Sequence, residues 1–204
     1  MHHKLSKTSI RELRMNLDMT ALKPHDFAVL LKLVSLVTSV DAIISGSSAW
    51  TIESLSKSLL LSGSETHAAL KRAAQAGLYD AGHKLIRVTS LREFAIHGVK
   101  YAYFAVPGLE TRGIPTSIAA PPFDKHFPTP DLPPVWPHPS GLTRGFSFAP
   151  LYPGAAQAAV ADSDFYELLV IIDALREGGP RVRNIAIEEL NLTLDEYSQA
   201  KGLA

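Results

Sequence analysis

The sequence predicts a mainly helical α+β fold, and three features indicate this class. Apolar residues recur three and four positions apart in both halves of the chain, which is the spacing of helices with one buried face. Serine, threonine and aspartate residues stand where such helices would begin. Twelve of the 14 prolines fall between Pro107 and Pro153, so long helices are largely excluded there. We therefore expect helices, then a proline-rich region with irregular chain and short strands, then helices again.

The first two predicted helices differ in their patterns. Thr8 to Met19 has one apolar stripe and would form a docking arm or dimer arm. The second helix begins at Pro24, because proline is tolerated in the first turn of a helix. From Phe27 to Val40 it is apolar on nearly all sides. Such a helix is normally buried, either by neighbours in its own domain or by a second subunit.

Capping signals predict a helix, a short turn and a further helix. Thr51 can cap the first of these helices, and residues 60–63 have the composition of a turn. Ser62 and Glu65 have the spacing of a capping box, in which each side chain bonds the backbone amide of the other residue. Gly77 would end the second helix in the left-handed conformation.

A hairpin and another helix are predicted next. Leu78 to Val88 contains strand-like residues on both sides of a tip at Ala81-Gly82-His83. Ser90 and Glu93 repeat the capping-box spacing before a helix that Gly98 would close.

The proline-rich region is predicted to be ordered. A disordered linker seldom holds so many large apolar residues. We expect an irregular wrap whose aromatic side chains pack on the rest of the protein, Trp136 among them, with short strands such as Tyr101 to Val106.

Helices are predicted to complete the chain. Asp164 stands at the start of a helix with an apolar stripe, which Gly178-Gly179-Pro180 would stop. A helix from Arg181 to Leu192 follows, and Thr193 with Glu196 predicts one last capped turn.

Composition and motifs narrow the classes of function. The chain has no cysteine, which excludes disulfides and cysteine nucleophiles and suits a reducing compartment. We find no secretory signal pattern and no apolar run long enough to cross a bilayer, so we expect a cytoplasmic protein. Nucleophile-elbow, phosphate-loop and zinc-protease motifs are also missing from the sequence. We therefore predict that the protein is not an enzyme and needs no cofactor or metal.

The predicted third helix has a polar face suited to DNA. Ala69, Leu70 and Ala73 form an apolar stripe, and a polar set follows the opposite face: Ser64, His67, Lys71 and Gln75, flanked by Arg72. Hydrogen-bonding and cationic side chains on one helix face can contact base edges and phosphates in the major groove. The hairpin would add His83, Lys84 and Arg87 as further contacts. Any solvated helix also shows polar residues at this spacing, so the face alone does not decide the function.

The order of these segments resembles a known family. Residues 50–59 and 61–73, followed by Ala76-Gly77-Leu78, resemble the helix-turn-helix and wing entry of MarR-like winged-helix transcriptional regulators. The resemblance covers residues 24–98. It implies that the polar face of the third helix and the hairpin bind double-stranded DNA, and that flanking helices form a homodimer. Two departures are Glu65, an acidic residue at the start of the proposed recognition helix, and a short, weakly basic wing.

The two halves of the sequence differ in charge. Lys and Arg outnumber Asp and Glu by 13 to 8 up to Phe104, whereas they are outnumbered by 12 to 7 after it. We therefore divide the chain into a DNA-binding domain with a helical arm, residues 1–104, and a partner or dimer region, residues 105–204. The alternative is a protein-interaction module, or an antitoxin-like partner protein whose winged helix docks protein.

Thr111-Arg112-Gly113 is repeated as Thr143-Arg144-Gly145 in the second half. The two arginines could hold an anion or a partner's carboxylate. The interpretation we favour is structural, with each arginine bonding backbone carbonyls of the proline-rich chain.

Overall fold

A computed structural model describes residues 21–39, 44 and 49–203. The predicted helix from Thr8 to Met19 lies outside the described residues. The fold is mainly helical with small β-structures, in agreement with the predicted class. The helices are α1 (Pro24–Thr38), α2 (Ile52–Leu59), α3 (Gly63–Gln75), α4 (Val88–Glu93), α5 (Val99–Ala102), α6 (Ala155–Val160), α7 (Ser163–Glu177) and α8 (Pro180–Ala200). The strands are β1 (Tyr79–Asp80), β2 (Leu85–Ile86), β3 (Glu110–Pro115), β4 (Pro134–Pro137) and β5 (Thr143–Ser147).

Helix α1 is the centre of the core. It begins at Pro24, as predicted, and the side chains from Phe27 to Val34 are buried. Helices α2, α3, α7 and α8 of the same chain pack against it. Neighbours within the molecule therefore cover this all-apolar helix.

Helices α2 and α3 start at the predicted caps. The Thr51 hydroxyl accepts a bond from the amide of Ser54 at 3.0 Å. Ser62 and Glu65 form the predicted capping box, with distances of 3.1 Å and 3.0 Å between side-chain oxygen and backbone nitrogen. Gly77 follows α3 with a φ of 76°, the left-handed value that glycine adopts without strain.

The chain after the hairpin differs from the prediction. Helix α4 begins at Val88, and a π-helical turn over Phe94–Gly98 continues it directly into α5. Ser90 therefore lies inside a helix and caps nothing. Gly98 does not end the helix, and a Cβ built there would lie 2.9 Å from the Phe94 ring, so close packing explains this glycine. Helix α5 ends at Ala102, and residues 103–106 form no strand. The predicted strand from Tyr101 to Val106 is therefore wrong, and the first strand of the second half begins at Glu110.

The Thr-Arg-Gly repeat forms two neighbouring strands of a small closed barrel. Strand β3 pairs antiparallel with both β4 and β5, and β4 pairs parallel with β5. Arg112 lies directly opposite Arg144 in this register. A Cβ on Gly113 would overlap the carbonyl of Trp136, and one on Gly145 would overlap the carbonyl of Pro133. The glycines of the repeat therefore allow the β4 chain to approach closely.

A buried carboxylate fixes the barrel to α7. Asp173 accepts bonds from the Thr116 hydroxyl at 2.8 Å, the Trp136 indole at 2.6 Å and the Arg176 guanidinium at 2.6 Å. Burial raises the pKa of Asp173, and these donors act in the opposite direction by favouring the charged form. Trp136 is completely buried, as predicted for the aromatics of the wrap.

The last helix is longer than predicted. Gly178 and Gly179 separate α7 from α8, but α8 runs without a break to Ala200. The Thr193 hydroxyl bonds the carbonyl of Glu189 one turn earlier, so it caps no separate turn.

The two halves of the sequence share a core. Buried residues of α1 and α3 belong to the same hydrophobic cluster as those of α6, α7 and α8. The boundary at Phe104 therefore divides the sequence by charge but does not separate two cores. Within the described ranges, no helix is both long enough and apolar enough to cross a membrane.

Candidate nucleic-acid interface

The outer face of α3 is open to solvent. Ser64, His67, Lys71 and Gln75 are all exposed, whereas Ala69 and its apolar neighbours on the opposite face are buried. The polar side chains identified from the sequence therefore point away from the core. A partner could reach them without any rearrangement of the residues that the structure describes.

A groove of about 820 Å³ lies between α3 and the β1–β2 hairpin. His67, Lys71 and Gln75 form one side, and Lys84 lies at the hairpin. Trp50 and Tyr79 also line the groove, and sequence analysis did not select either residue for the site. A large aromatic residue directly before the Thr51 cap is the signal that could have pointed to Trp50.

The hairpin presents a positioned cation. Lys84 has a φ of 55°, and its ammonium nitrogen lies 5.9 Å from the centre of the Trp50 ring. An aromatic face attracts a cation at this distance, so Trp50 restrains Lys84 at the edge of the groove. Arg87 is also exposed, at the start of α4.

His83 is tied to the hairpin by an acidic residue. Its Nδ1 lies 3.1 Å from the Oδ2 atom of Asp80, and the Oδ1 atom accepts hydrogen bonds from the amides of Gly82 and His83. These hydrogen bonds lower the pKa of Asp80, the His83 side chain having the largest effect. The negative charge beside His83 weakens its attraction for a phosphate.

The structure corrects the expected role of Arg72. Its side chain is 8% exposed, and its guanidinium donates to both carboxylate oxygens of the fully buried Asp26, at 2.6 Å and 2.7 Å. The Nε2 atom of His25 lies 3.3 Å from the same guanidinium, and burial lowers the pKa of His25. Arg72 therefore joins α3 to α1, and its guanidinium does not face the groove. Asp26 stands 46 positions away in the sequence, so no local pattern reveals this pair.

Glu65 is held at the start of α3. Its carboxylate accepts bonds from the backbone amide and the hydroxyl of Ser62, and these bonds lower its pKa. The charge is therefore directed toward the cap and the positive end of the helix.

The two arginines of the repeat are exposed on one face of the barrel. Arg144 forms an ion pair with Glu110, and Arg112 has no side-chain partner among the described residues. Neither side chain bonds a backbone carbonyl in that part of the chain, which differs from the interpretation we favoured. Directly opposed like charges destabilise a strand pair, so the Glu110 contact offsets part of the repulsion.

The described residues contain no group of three or more His, Asp or Glu arranged to hold a metal ion. Comparisons with family models, curated proteins and solved structures gave no match. The residues of the site are therefore the basis for any functional proposal.

Proposed function

We propose that this protein is a sequence-specific, DNA-binding transcriptional regulator. In this proposal α2 and α3 form a helix-turn-helix, α3 is the recognition helix, and the β1–β2 hairpin is the wing. The observation that most directly supports it is the exposed row of His67, Lys71 and Gln75 beside Lys84 along one open groove.

The chemistry of this surface suits a duplex. The major groove accepts one α-helix, and lysine and glutamine side chains can bond base edges there. Lys71 and Gln75 are four positions apart, so both face the same groove when α3 enters it. Lys84 on the hairpin would contact a phosphate beside the groove and contribute attraction that depends on salt rather than on sequence.

The proposal is tested with the full-length chain and a random library of DNA duplexes. We expect selection to enrich a common sequence, and binding to that sequence to weaken steeply with salt. Lys71→Ala should weaken binding by about 1–3 kcal/mol, because a base contact is lost. Lys84→Ala should weaken binding to all DNA sequences by a similar factor. It should also reduce the magnitude of the slope of log K against log salt by about 1.

Lys125→Ala is the matched control, because Lys125 is an exposed lysine remote from α3 in the sequence. It should leave both affinity and salt slope unchanged. Failure of the library to yield any enriched duplex would contradict the proposal, as would equal effects of Lys71→Ala and Lys125→Ala.

Docking of a second protein is the alternative, and one observation favours it. Tyr101, Phe104, Val106 and Leu109 are large apolar residues that are 65–87% exposed, and they follow one another closely in the chain. Exposed apolar residues in a group are typical of interaction sites. In this alternative the segment contacts a partner protein, whereas in the proposed regulator it contacts a second copy of the chain. A stoichiometric partner protein, together with flat DNA binding, would instead support the interaction module.

A further inference from the structure

A second cavity lies in the proline-rich half, at the junction of the barrel with α7 and α8. Its volume is about 290 Å³, close to the lower end of small-molecule sites. Pro107, Leu132 and Pro134 contribute to its walls, with Phe146 from β5, Phe148 directly after that strand and Val182 from α8. Several separate elements therefore build one mostly apolar hollow, and the proposed DNA contacts do not use it.

Ser117 contributes a hydroxyl group to the wall of this cavity. The residue is 4% exposed and lines the hollow. Ser147, half-buried on β5, also lines the hollow. A hydroxyl group in an otherwise apolar wall can donate a hydrogen bond to a bound molecule or accept one from it.

The backbone of Ser117 is also unusual. Its φ is 50°, a conformation that is disfavoured for residues other than glycine. The described residues include two other non-glycine cases, and both have local reasons. Leu60 ends a helix and Lys84 closes a hairpin. Ser117 is instead buried after β3, and strain of this kind is concentrated at binding sites.

The rim of the cavity carries one acidic side chain. Glu177 lines the cavity and would repel an anion. Gly178 and Gly179 also line it, where α7 ends and α8 begins, so the negative end of one helix lies beside the positive end of the other and the two offset each other. A carboxylate accepts hydrogen bonds, so a ligand hydroxyl that donates to Glu177 fits the rim.

We propose that this cavity binds a neutral, mostly apolar small molecule of about ten heavy atoms with one hydroxyl group. Its apolar body packs between the prolines and aromatic rings, and its hydroxyl donates to Glu177 and accepts from Ser117. This inference concerns the second half of the chain and does not depend on DNA binding.

The test uses the full-length protein with labelled methyl groups and 4-ethylphenol as the probe. We expect saturable shifts of the Ile118, Leu132 and Val182 methyl signals at about 1 mM probe or below, whereas the remote Leu192 methyl should not move. Ser117→Ala removes the hydroxyl and should weaken binding about three- to tenfold. Ser140→Ala, at an exposed serine, is the matched control and should bind as the unaltered protein does.

Two further variants test for misfolding, and two charged probes test the ligand class. Val182→Phe should abolish the shifts by filling the hollow while the circular dichroism spectrum stays unchanged. Ser117→Gly relieves the backbone strain, so it should raise Tm while it weakens probe binding. Benzylamine and benzoate should bind less tightly than 4-ethylphenol. Tighter binding of either ion, no saturation, or equal binding by Ser117→Ala would overturn the proposal.

Discussion

Buried charges join helices that are distant in the sequence. Asp26 of α1 is completely buried and pairs with Arg72 of α3. Lys32 of α1 is also buried and pairs with Asp162, which caps α7. A buried charge without a partner is strongly unfavourable, so each of these residues depends on the other member of its pair.

Asp26→Asn should destabilise the protein by about 3 kcal/mol or more, because the Arg72 guanidinium would stay buried without a counter-charge. Urea unfolding followed by circular dichroism measures this loss as a lower midpoint. Asp195→Asn is the control, since Asp195 pairs with Arg92 at a solvent-exposed position. Removing that surface pair should change stability by about 1 kcal/mol or less. Equal midpoints for the two variants would show that the Asp26–Arg72 pair contributes little.

Signals within a few residues were sufficient to predict the helix caps. The roles of side chains whose partners lie far away in the sequence could not be predicted in this way. The caps at Thr51 and Ser62 depend on residues three positions away, so the sequence alone was sufficient. The role of Arg72 depends on Asp26, which no local pattern connects to it. Lys71 and Arg72 are adjacent and both cationic, yet one is exposed and the other is buried.

Two of the three barrel strands contain a glycine at a position where a neighbouring backbone leaves no room for a side chain. Each is only four to six residues long. Their backbones approach so closely that Gly113 and Gly145 have no room for a side chain. Because β3 pairs with both other strands, a disturbance of Gly113 affects both of its pairings.

Gly113→Ala should destabilise the barrel by about 3 kcal/mol, since the added methyl group must displace the backbone at Trp136. Near-ultraviolet circular dichroism reports the packing of Trp136, and urea unfolding reports the stability. Gly179→Ala is the matched control, because a Cβ there meets nothing within 4 Å. A tolerated Gly113→Ala would contradict the close approach of β3 and β4.

The starts of the first helices could be predicted from the sequence, whereas the barrel strands could not, because helices depend on nearby residues and strands on distant ones. The starts of α1, α2 and α3 follow from proline and caps within the same few residues. The barrel needs pairing between residues 12 to 36 positions apart, and β3 and β4 contain prolines that hide the pattern. Local spacing also misplaced Ser90 and Gly98, because α4 already begins at Val88 and a π-helical turn continues it through Gly98.

Residues of the second half of the chain form hydrogen bonds to the proposed DNA-binding elements. The Tyr197 hydroxyl of α8 accepts the amide of Ile86 in the hairpin at 3.0 Å. The Tyr152 hydroxyl donates to the carbonyl of Leu59, the last residue of α2, at 3.1 Å. Arg183 of α8 also donates to the carbonyl of Ile96. The orientation of α2 and the hairpin therefore depends on residues beyond position 104.

A chain shortened after Phe104 should lose its cooperative thermal unfolding, because it lacks the α7 and α8 side chains that cover α1. It should also lose the proposed DNA binding. Circular dichroism and calorimetry on purified protein provide the measurement. A chain shortened after Ala200 retains all of α8 and is the control, with unfolding close to that of the full chain. Cooperative unfolding of the shorter fragment would show that residues 1–104 form an independent domain.

The central position of α1 also has a consequence for biosynthesis. Residues 39–162 must be translated before the first residue of α7 exists, which takes on the order of 10 s at ordinary ribosome speeds. During that interval the most apolar helix of the protein lacks two of its covering partners. We therefore expect chaperones that shield hydrophobic segments on the ribosome to bind the nascent polypeptide.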